Sequence, residues 1–249
     1  MGRFEGKAAV VTGSSSGIGA ETARRLAAEG AQVVVNSATS VEAGQRVVAA
    51  IEADGGTATY VQCDISDREQ RAHLIDEAVS AFGHLDVLVN NAGVTQVIPH
   101  HDLEAVTEEI FRRIYEVNVL GTFELTKLAM PHLKASGAGA VVNVSSIAGV
   151  RNVGSSIPYA VSKAALNHLT TLLANVSGPE VRVNAVAPGL IRTPWTEDWT
   201  PLHEAMDTMT TLQRSGEPGD VAEVILDLAA SGYVTGQIVV IDGGFTLRN

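Results

Sequence analysis

Short apolar runs alternate with longer amphipathic stretches along almost the whole chain. Seven runs have the length and composition of strands, at about residues 8–11, 32–35, 57–62, 86–90, 140–144, 181–186 and 237–241. Between them a helical period predicts helices at about residues 17–29, 41–53, 67–82, 104–134, 157–176 and 218–230. The predicted strands are rich in valine and continuously apolar, which is typical of strands buried on both faces of a parallel sheet.

Repeated alternation of strand and helix predicts a three-layer, doubly wound α/β fold of the Rossmann type, with a seven-stranded parallel sheet. No composition shift or low-complexity linker interrupts residues 1–249, so the sequence predicts a single domain. Both tryptophans, Trp195 and Trp199, lie in a stretch at about residues 190–215 that predicts a mobile apolar lid over a substrate. Packing of this stretch onto the domain or onto a neighbouring subunit explains it equally well.

Composition narrows the classes of function. The chain has 249 residues, a net charge of −11 and a pI near 5.0, which argues against nonspecific binding to nucleic acid or to anionic membranes. A single cysteine, Cys63, excludes a disulfide or a cysteine-based metal site within one chain, and no metal site is predicted. No signal peptide and no run of about 18 apolar residues is visible, so we expect a cytoplasmic protein without a membrane span.

A glycine-rich turn separates the first predicted strand from the first predicted helix. Its sequence, TGSSSGIG at residues 12–19, has the spacing G-x-x-x-G-x-G, a variant of the dinucleotide-binding turn. Glycines allow the backbone to approach a pyrophosphate closely, and the helix N-terminus supplies free N–H groups. The predicted cofactor-binding residues of this turn are Gly13, Ser15, Ser16, Gly17, Ile18 and Gly19.

The end of the second predicted strand bears on the choice of cofactor. An acidic residue there would bind the ribose 2′-hydroxyl of NAD and repel the 2′-phosphate of NADP. The sequence VNSATS at residues 35–40 has no acidic residue, but it also has no Arg or Lys to attract a phosphate. Hydroxyl groups, including that of Ser37, could bind the phosphate. We therefore predict a preference for NADP(H), and NAD(H) remains possible.

Tyr159 and Lys163 stand four residues apart in IPYAVSK, within a predicted helix. Positions i and i+4 share one helix face, so the phenol and the ammonium group would be neighbours. An opposite charge within about 4–6 Å can lower a phenol pKa of about 10 by about 1–3 units. The pair is either an acid/base pair or two surface residues, and the motifs around it favour the first interpretation.

Taken together, the motifs resemble those of the classical short-chain dehydrogenase/reductase family, and within it the 3-oxoacyl-carrier-protein-reductase-like ketoreductase group. The resemblance extends over essentially the whole chain. It is carried by TGxxxGIG at residues 12–19, NNAG at 90–93, Asn118 in VNV, Ser146 in NVSS, Tyr159 with Lys163, and PG at 188–189.

The resemblance implies four catalytic residues. Tyr159 would be the general acid/base, and Lys163 would lower its pKa and hold the nicotinamide ribose. Ser146 would hold the substrate oxygen, and Asn118 would order a water in a proton relay. The further cofactor-binding residues that it implies are Asp64, Ile65, Asn90, Ala92, Gly93, Pro188, Gly189, Ile191 and Thr193.

The function implied by the resemblance is the reduction of a ketone, of a 3-oxoacyl or another kind, to a secondary alcohol, or the reverse reaction, by a homotetramer. Two alternatives remain open from the residues themselves. One is an NAD-dependent dehydrogenase of a hydroxylated metabolite. The other is a dinucleotide-binding regulator without turnover, although such a protein would have no chemical need for Asn118, Ser146, Tyr159 and Lys163 together.

Overall fold

One sheet runs through the middle of the molecule, which the computed structural model describes over residues 2–248. Its strands are β1 (Ala8–Val11), β2 (Gln32–Ser37), β3 (Thr57–Gln62), β4 (Val87–Asn90), β5 (Gly139–Val144), β6 (Val181–Pro188) and β7 (Ile238–Ile241). All neighbouring strands pair in parallel, in the order β3-β2-β1-β4-β5-β6-β7. This confirms the predicted doubly wound sheet.

Helices cover both faces of the sheet. They are α1 (Gly17–Ala28), α2 (Val41–Ala53), α3 (Arg68–Phe82), α4 (Glu108–Tyr115), α5 (Thr122–Ala135), α6 (Ile157–Ser177), α7 (Thr200–Met209) and α8 (Pro218–Ala230). Helix α1 packs against α2 and α8 on one face, whereas α3 packs against α5, and α4 against α6, on the other. Within residues 2–248, no helix has both the length and the apolar character that a membrane span requires.

The valine runs are explained by two hydrophobic cores, one on each side of the sheet. Successive strand residues point to opposite faces, so Val11 lies in the core under α1 while its neighbour Val10 lies in the core under α3. Both side chains are completely buried, as are Leu88 and Val89 of β4. Since each face is covered, the central strands are apolar at most positions, and the alternating pattern of a half-exposed strand does not occur.

The long helix predicted at residues 104–134 is divided and begins later. Thr107 caps α4 by accepting a hydrogen bond from the backbone N–H of Ile110, which leaves residues 104–107 outside the helix. Between α4 and α5 the chain forms a π-helical segment, Glu116–Gly121, that contains Asn118. Such wide turns in helices are frequent at functional sites.

The stretch at residues 190–215 contains more regular structure than the sequence predicts. A short 3₁₀ turn, Pro194–Thr196, is followed by α7, and the buried residues His203 and Met206 fasten that helix to the body of the molecule. Trp195 and Leu202, by contrast, remain substantially exposed. The stretch therefore combines an anchored helix with an apolar surface that faces outward from it.

Candidate active site

The topology of the sheet creates a crevice at the carboxyl ends of β1 and β4. The strand order reverses there, and the loops that leave these two strands diverge toward opposite faces. A cleft of about 1410 Å³ opens at this point. Pockets for a single drug-sized ligand are usually about 300–1,000 Å³, so the cleft has room for a dinucleotide together with a small substrate.

The glycine turn after β1 forms the floor of this cleft. Gly13 and Gly17 have φ angles of +60° and +55°, a region that strongly favours glycine. A Cβ atom on Gly13 would lie 2.9 Å from the Cα of Ala92, and one on Gly19 would lie 2.5 Å from Asn91 Nδ2. Glycine is therefore required at Gly13 and Gly19 by the close approach of the loop after β4, and at Gly17 by its positive φ angle.

The start of α1 fits the pyrophosphate of a dinucleotide. Helix α1 begins at Gly17, and the side chain of its N-cap residue, Ser16, makes no capping hydrogen bond. The first N–H groups of a helix have no partner within the helix, and they attract anions. The glycines of the turn and a helix N-terminus without a side-chain cap thus form a cradle for phosphate groups.

Two buried polar side chains tie this turn to the neighbouring strands. Ser14 Oγ donates to Val11 O at 2.6 Å and accepts from the N–H of Asn36 at 2.9 Å. The Asn36 side chain accepts from the N–H of Gly13 and donates to the carbonyls of Val61 and Cys63. Asn36 thereby links the ends of β1, β2 and β3, and the sequence analysis did not identify it. In the sequence, this role is indicated by a single asparagine at the end of a valine run.

The region expected to bind the adenosine ribose contains Ser37, which is buried but lines the cleft together with Ala38 and Thr39. The Ser37 hydroxyl shares a 2.8 Å hydrogen bond with the hydroxyl of Tyr60. Tyr60 therefore fixes the position of the Ser37 side chain at the edge of the cleft.

The loop after β4 is fastened directly to the glycine turn. Asn91 Nδ2 donates to the carbonyls of Thr12 and Gly13, and the backbone N–H groups of Asn91 and Ala92 donate to Thr12 Oγ1. Asn90, predicted to line the cofactor, instead points into the interior and does not line the cleft. Its amide donates to Thr126 Oγ1 and Asn143 Oδ1.

Tyr159, Ser146 and Lys163 line one side of the cleft. Tyr159 lies in the first turn of α6, where its N–H donates to Oγ of the N-cap residue Ser156. Ser146 follows β5, and Lys163 lies one turn beyond Tyr159, with Nζ 5.6 Å from the centre of the phenol ring. The predicted helix face is therefore present and turned toward the cleft.

The protonation states of this pair follow from their surroundings. Burial raises the pKa of Tyr159 to about 12, and a hydrogen bond with Ser146 opposes that rise. Burial lowers the pKa of Lys163 to about 8. Burial has the largest effect on the pKa of Tyr159, and the neighbouring Lys163 Nζ donates a hydrogen bond to Val144 O at 2.9 Å. At neutral pH the phenol is protonated and the lysine is mostly charged.

Asn118 is 1% exposed and does not itself line the cleft. Its amide holds both backbone polar groups of Val94: Oδ1 accepts from the N–H at 2.8 Å, and Nδ2 donates to the carbonyl at 3.0 Å. Nδ2 also donates to Ser162 Oγ. A Cβ atom on Gly93 would lie 3.3 Å from Asn118 Oδ1 and 3.6 Å from Lys163 Nζ. Asn118 therefore supports the loop that faces the lysine.

The structure brings most of the predicted site residues to one cleft. Besides those already placed, the predicted residues that line it are Ile18, Asp64, Ile65, Pro188, Gly189, Ile191 and Thr193. The predicted residues that do not line it are Ser15, Gly19, Asn90 and Asn118. Val117 and Phe245 also line it, and the sequence analysis did not identify either of them. No motif marks these two side chains, because only the folding of distant segments brings them to the cleft.

Comparison with known proteins agrees with this geometry. The model of a family described as enoyl-(acyl carrier protein) reductase matches residues 13–246. The chain is 55% identical over 243 residues to a Streptomyces violaceoruber protein assigned as ketoacyl reductase 2 of the granaticin polyketide synthase, covering 96% of both chains. It is 38% identical to the 3-oxoacyl-acyl-carrier-protein reductase FabG of Thermotoga maritima, covering 98% of this chain and 100% of the relative.

A solved structure has the same architecture. The short-chain type dehydrogenase/reductase of Mycobacterium marinum superposes with a TM-score of 0.91 at 35% sequence identity, covering 98% of this chain and 96% of the other. The two proteins are therefore similar in sequence as well as in fold.

We expect the Gly19→Ala variant to bind NADPH at least tenfold more weakly than the wild type. The new methyl group would lie 2.5 Å from Asn91 Nδ2 and 2.6 Å from Gly13 O, so the turn must shift away from the loop after β4. Gly232→Ala is the matched control, because a Cβ atom there would have no neighbour within 4 Å. Fluorescence titration gives both dissociation constants. Equal affinity in the two variants would contradict this account of the turn.

Proposed function

Because the chain belongs to the classical short-chain dehydrogenase/reductase family of NAD(P)-dependent enzymes acting on CH–OH and C=O groups, we propose that it reduces a ketone to a secondary alcohol, with Tyr159 as the acid/base. The supporting observation is the Tyr159 phenol, hydrogen-bonded with the Ser146 hydroxyl, on the wall of a cleft that can hold a dinucleotide. Relatives assigned as a ketoacyl reductase and as a 3-oxoacyl-acyl-carrier-protein reductase support a 3-oxoacyl type of carbonyl.

Reduction of a ketone requires a hydride at carbon and a proton at oxygen, and the bound nicotinamide supplies the hydride. Tyr159 supplies the proton, because its pKa of about 12 keeps the phenol protonated at neutral pH. Ser146 donates a hydrogen bond to the substrate oxygen, on which negative charge develops. Lys163, mostly charged at neutral pH, then stabilises the phenolate that remains on Tyr159.

The reverse reaction uses the same groups. A secondary alcohol would give its proton to the Tyr159 phenolate, while Ser146 holds the alcohol oxygen in place. The 7alpha-hydroxysteroid dehydrogenase of Escherichia coli, 37% identical over 247 residues, is a relative whose name describes oxidation. This name supports oxidation of a hydroxylated metabolite as the second candidate function, with NAD as the alternative cofactor.

We expect Tyr159→Phe to abolish ketone reduction, with a loss of at least a thousandfold in kcat, while the Kd for NADPH changes less than threefold. The substitution removes the proton donor but leaves the ring and its packing in place. Initial rates with ethyl acetoacetate and cyclohexanone, together with a cofactor titration, provide the two readouts. Turnover near the wild-type value in this variant would refute Tyr159 as the acid.

A preference for NADP(H) over NAD(H) is the finer part of the proposal. It is supported by the absence of any carboxylate in residues 36–40 and by the presence of Ser16, Ser37 and Thr39 on the cleft wall. A carboxylate at the end of β2 would bind a ribose 2′-hydroxyl and repel a 2′-phosphate. Hydroxyl groups can donate hydrogen bonds to a 2′-hydroxyl or to a 2′-phosphate, so a site lined by them tolerates the phosphate.

The Ser37→Asp variant tests this preference. We expect the wild type to bind NADPH more tightly than NADH, and the variant to shift the ratio of the two dissociation constants at least tenfold toward NADH. Ser37→Ala is the control for loss of the bond to Tyr60, and it should shift the ratio much less. Tighter binding of NADH by the wild type would overturn the preference.

A homotetramer is the assembly that we propose. Helix α6 exposes Val161, Leu172 and Val176 on one face, and exposed Tyr115 and Leu120 lie on the neighbouring helical segments. A second set of exposed large apolar side chains lies near the C-terminal end of the chain: Leu212, Tyr233, Val240 and Leu247. Exposed apolar side chains in two separate parts of the chain support a tetramer, which requires more than one kind of interface.

Light scattering after size exclusion tests the assembly. We expect the wild type to elute at four times the 26.0 kDa mass of one chain, and the Leu172→Glu variant at twice that mass. Leu172 is 52% exposed at the centre of the α6 face, and a charge there would oppose its burial in an interface. Leu103→Glu, at a 65% exposed position outside both sets, serves as the control. A monomeric wild type would contradict the proposal.

A further inference from the structure

A short segment crosses the cleft between its two floor loops. We call residues Thr193–Thr196 the Trp195 turn. A Cβ atom on Gly17 would lie 3.1 Å from the methyl group of Thr193, and one on Gly93 would lie 3.8 Å from Trp195 Cη2. The turn therefore reaches from the glycine turn at one end to the loop after β4 at the other.

The Trp195 turn is held in a fixed position. Thr196 Oγ1 donates to Ile191 O at 2.6 Å and accepts from the N–H of Thr193 at 3.3 Å. The buried imidazole of His203 lies with Nε2 3.1 Å from both Thr196 O and Thr196 Oγ1, and with Nδ1 2.8 Å from Ser215 Oγ. Because a carbonyl can only accept, Nε2 carries the proton. Helix α7 thus anchors the turn and limits the positions available to the indole.

The indole of Trp195 contacts the proposed acid. The ring centroids of Trp195 and Tyr159 are 6.4 Å apart, and the ring planes are inclined at 73°, an edge-on aromatic arrangement. Trp195 nevertheless remains 47% exposed. A large part of the indole is therefore available to a ligand whose reacting oxygen lies at the Tyr159 hydroxyl.

Apart from Lys163, the segments around Tyr159 present uncharged side chains to the cleft. Gly154 adjoins the phenol, and the hydroxyls of Thr95 and Ser155 hydrogen-bond to each other at 2.6 Å. Among the described cleft residues, those from segments 94–99, 146–155 and 193–209 include no charged side chain. The apolar ones among them include Val97, Ile98, Val153, Trp199, Leu202, Met206 and Met209. These three segments therefore offer a substrate an apolar surface without a charged group.

We propose that Trp195 determines substrate specificity, by providing an aromatic wall against which the ring system of a flat, uncharged aromatic ketone lies. The inference rests on the proposed function, because it places the ketone oxygen at Tyr159 and Ser146. The substrate class is a bicyclic or polycyclic ketone with an aromatic ring close to the carbonyl. Aromatic pairs gain affinity beyond their buried area, so Trp195 selects planar aromatic rings over saturated rings of equal size.

A matched pair of ketones tests the proposal. The ketones 2-tetralone and trans-2-decalone have the same carbon skeleton, but only the first has an aromatic ring. Binding is measured by NMR titration in the presence of oxidised cofactor, which has no hydride to transfer, so that the ketone binds without turnover. We expect the wild type to bind 2-tetralone more tightly. Trp195→Leu should weaken the binding of 2-tetralone about three- to tenfold and that of trans-2-decalone less than twofold.

Two further variants control for other effects. Trp195→Phe retains an aromatic ring and should keep the preference for 2-tetralone. Trp199→Leu removes the other tryptophan from the same cleft and should change the two affinities by similar factors. Circular dichroism melting confirms that each variant is folded.

The outcomes separate this inference from the proposed function. Equal weakening of both ketones by Trp195→Leu, or binding of neither ketone by the wild type, would overturn the role of Trp195. Selective binding of 2-tetralone without reduction by NADPH or NADH would support the aromatic wall and count against the proposed function. Reduction of small ketones without any preference for 2-tetralone would support the proposed function and contradict the aromatic wall.

Discussion

The close contact between the glycine turn and the loop after β4 is the constraint on which the rest of the site depends. At Gly13 and Gly19 there is no space for a side chain, because the backbone of Ala92 and the amide of Asn91 occupy it. Hydrogen bonds from Asn91 to the Thr12 and Gly13 carbonyls hold the two loops together. This contact closes the bottom of the crevice between β1 and β4 and lets a ligand approach the backbone of the turn closely.

Burial sets the chemistry on the opposite wall. Lys163 is 3% exposed, and its ammonium group has the Val144 carbonyl as a partner. In these surroundings the charged forms of both Lys163 and Tyr159 are disfavoured, so burial lowers the pKa of the lysine to about 8 and raises the pKa of the phenol to about 12. A protonated phenol beside a mostly charged lysine is the state in which a proton can be given to a carbonyl oxygen and the resulting phenolate stabilised.

Asparagine amides join these two walls through the interior. Asn90 donates to Thr126 and Asn143, and Asn143 donates to Thr170 of α6, so that a chain of hydrogen bonds runs from α5 through β4 and β5 to the helix that carries Tyr159. Buried amides are costly unless they are hydrogen-bonded, and these bonds fix the relative positions of strand and helix. The Asn118 amide likewise fixes the position of the loop at Gly93, through its hydrogen bonds with the backbone of Val94.

The amino-acid sequence was sufficient to predict the doubly wound fold, the dinucleotide turn after the first strand, and a set of site residues most of which line the cleft. Valine runs, glycine spacing and the Tyr159–Lys163 interval act through the sterics and periodicity of nearby residues, and these are local properties. Tertiary structure alone decided that Asn90 faces the interior, that Asn36 links three strand ends and that a π-helical segment carries Asn118. It also brought the indole of Trp195 onto Tyr159 and gave Lys163 a carbonyl partner. These features depend on contacts between segments far apart in the chain, whose geometry is set only when the sheet and its helices have packed.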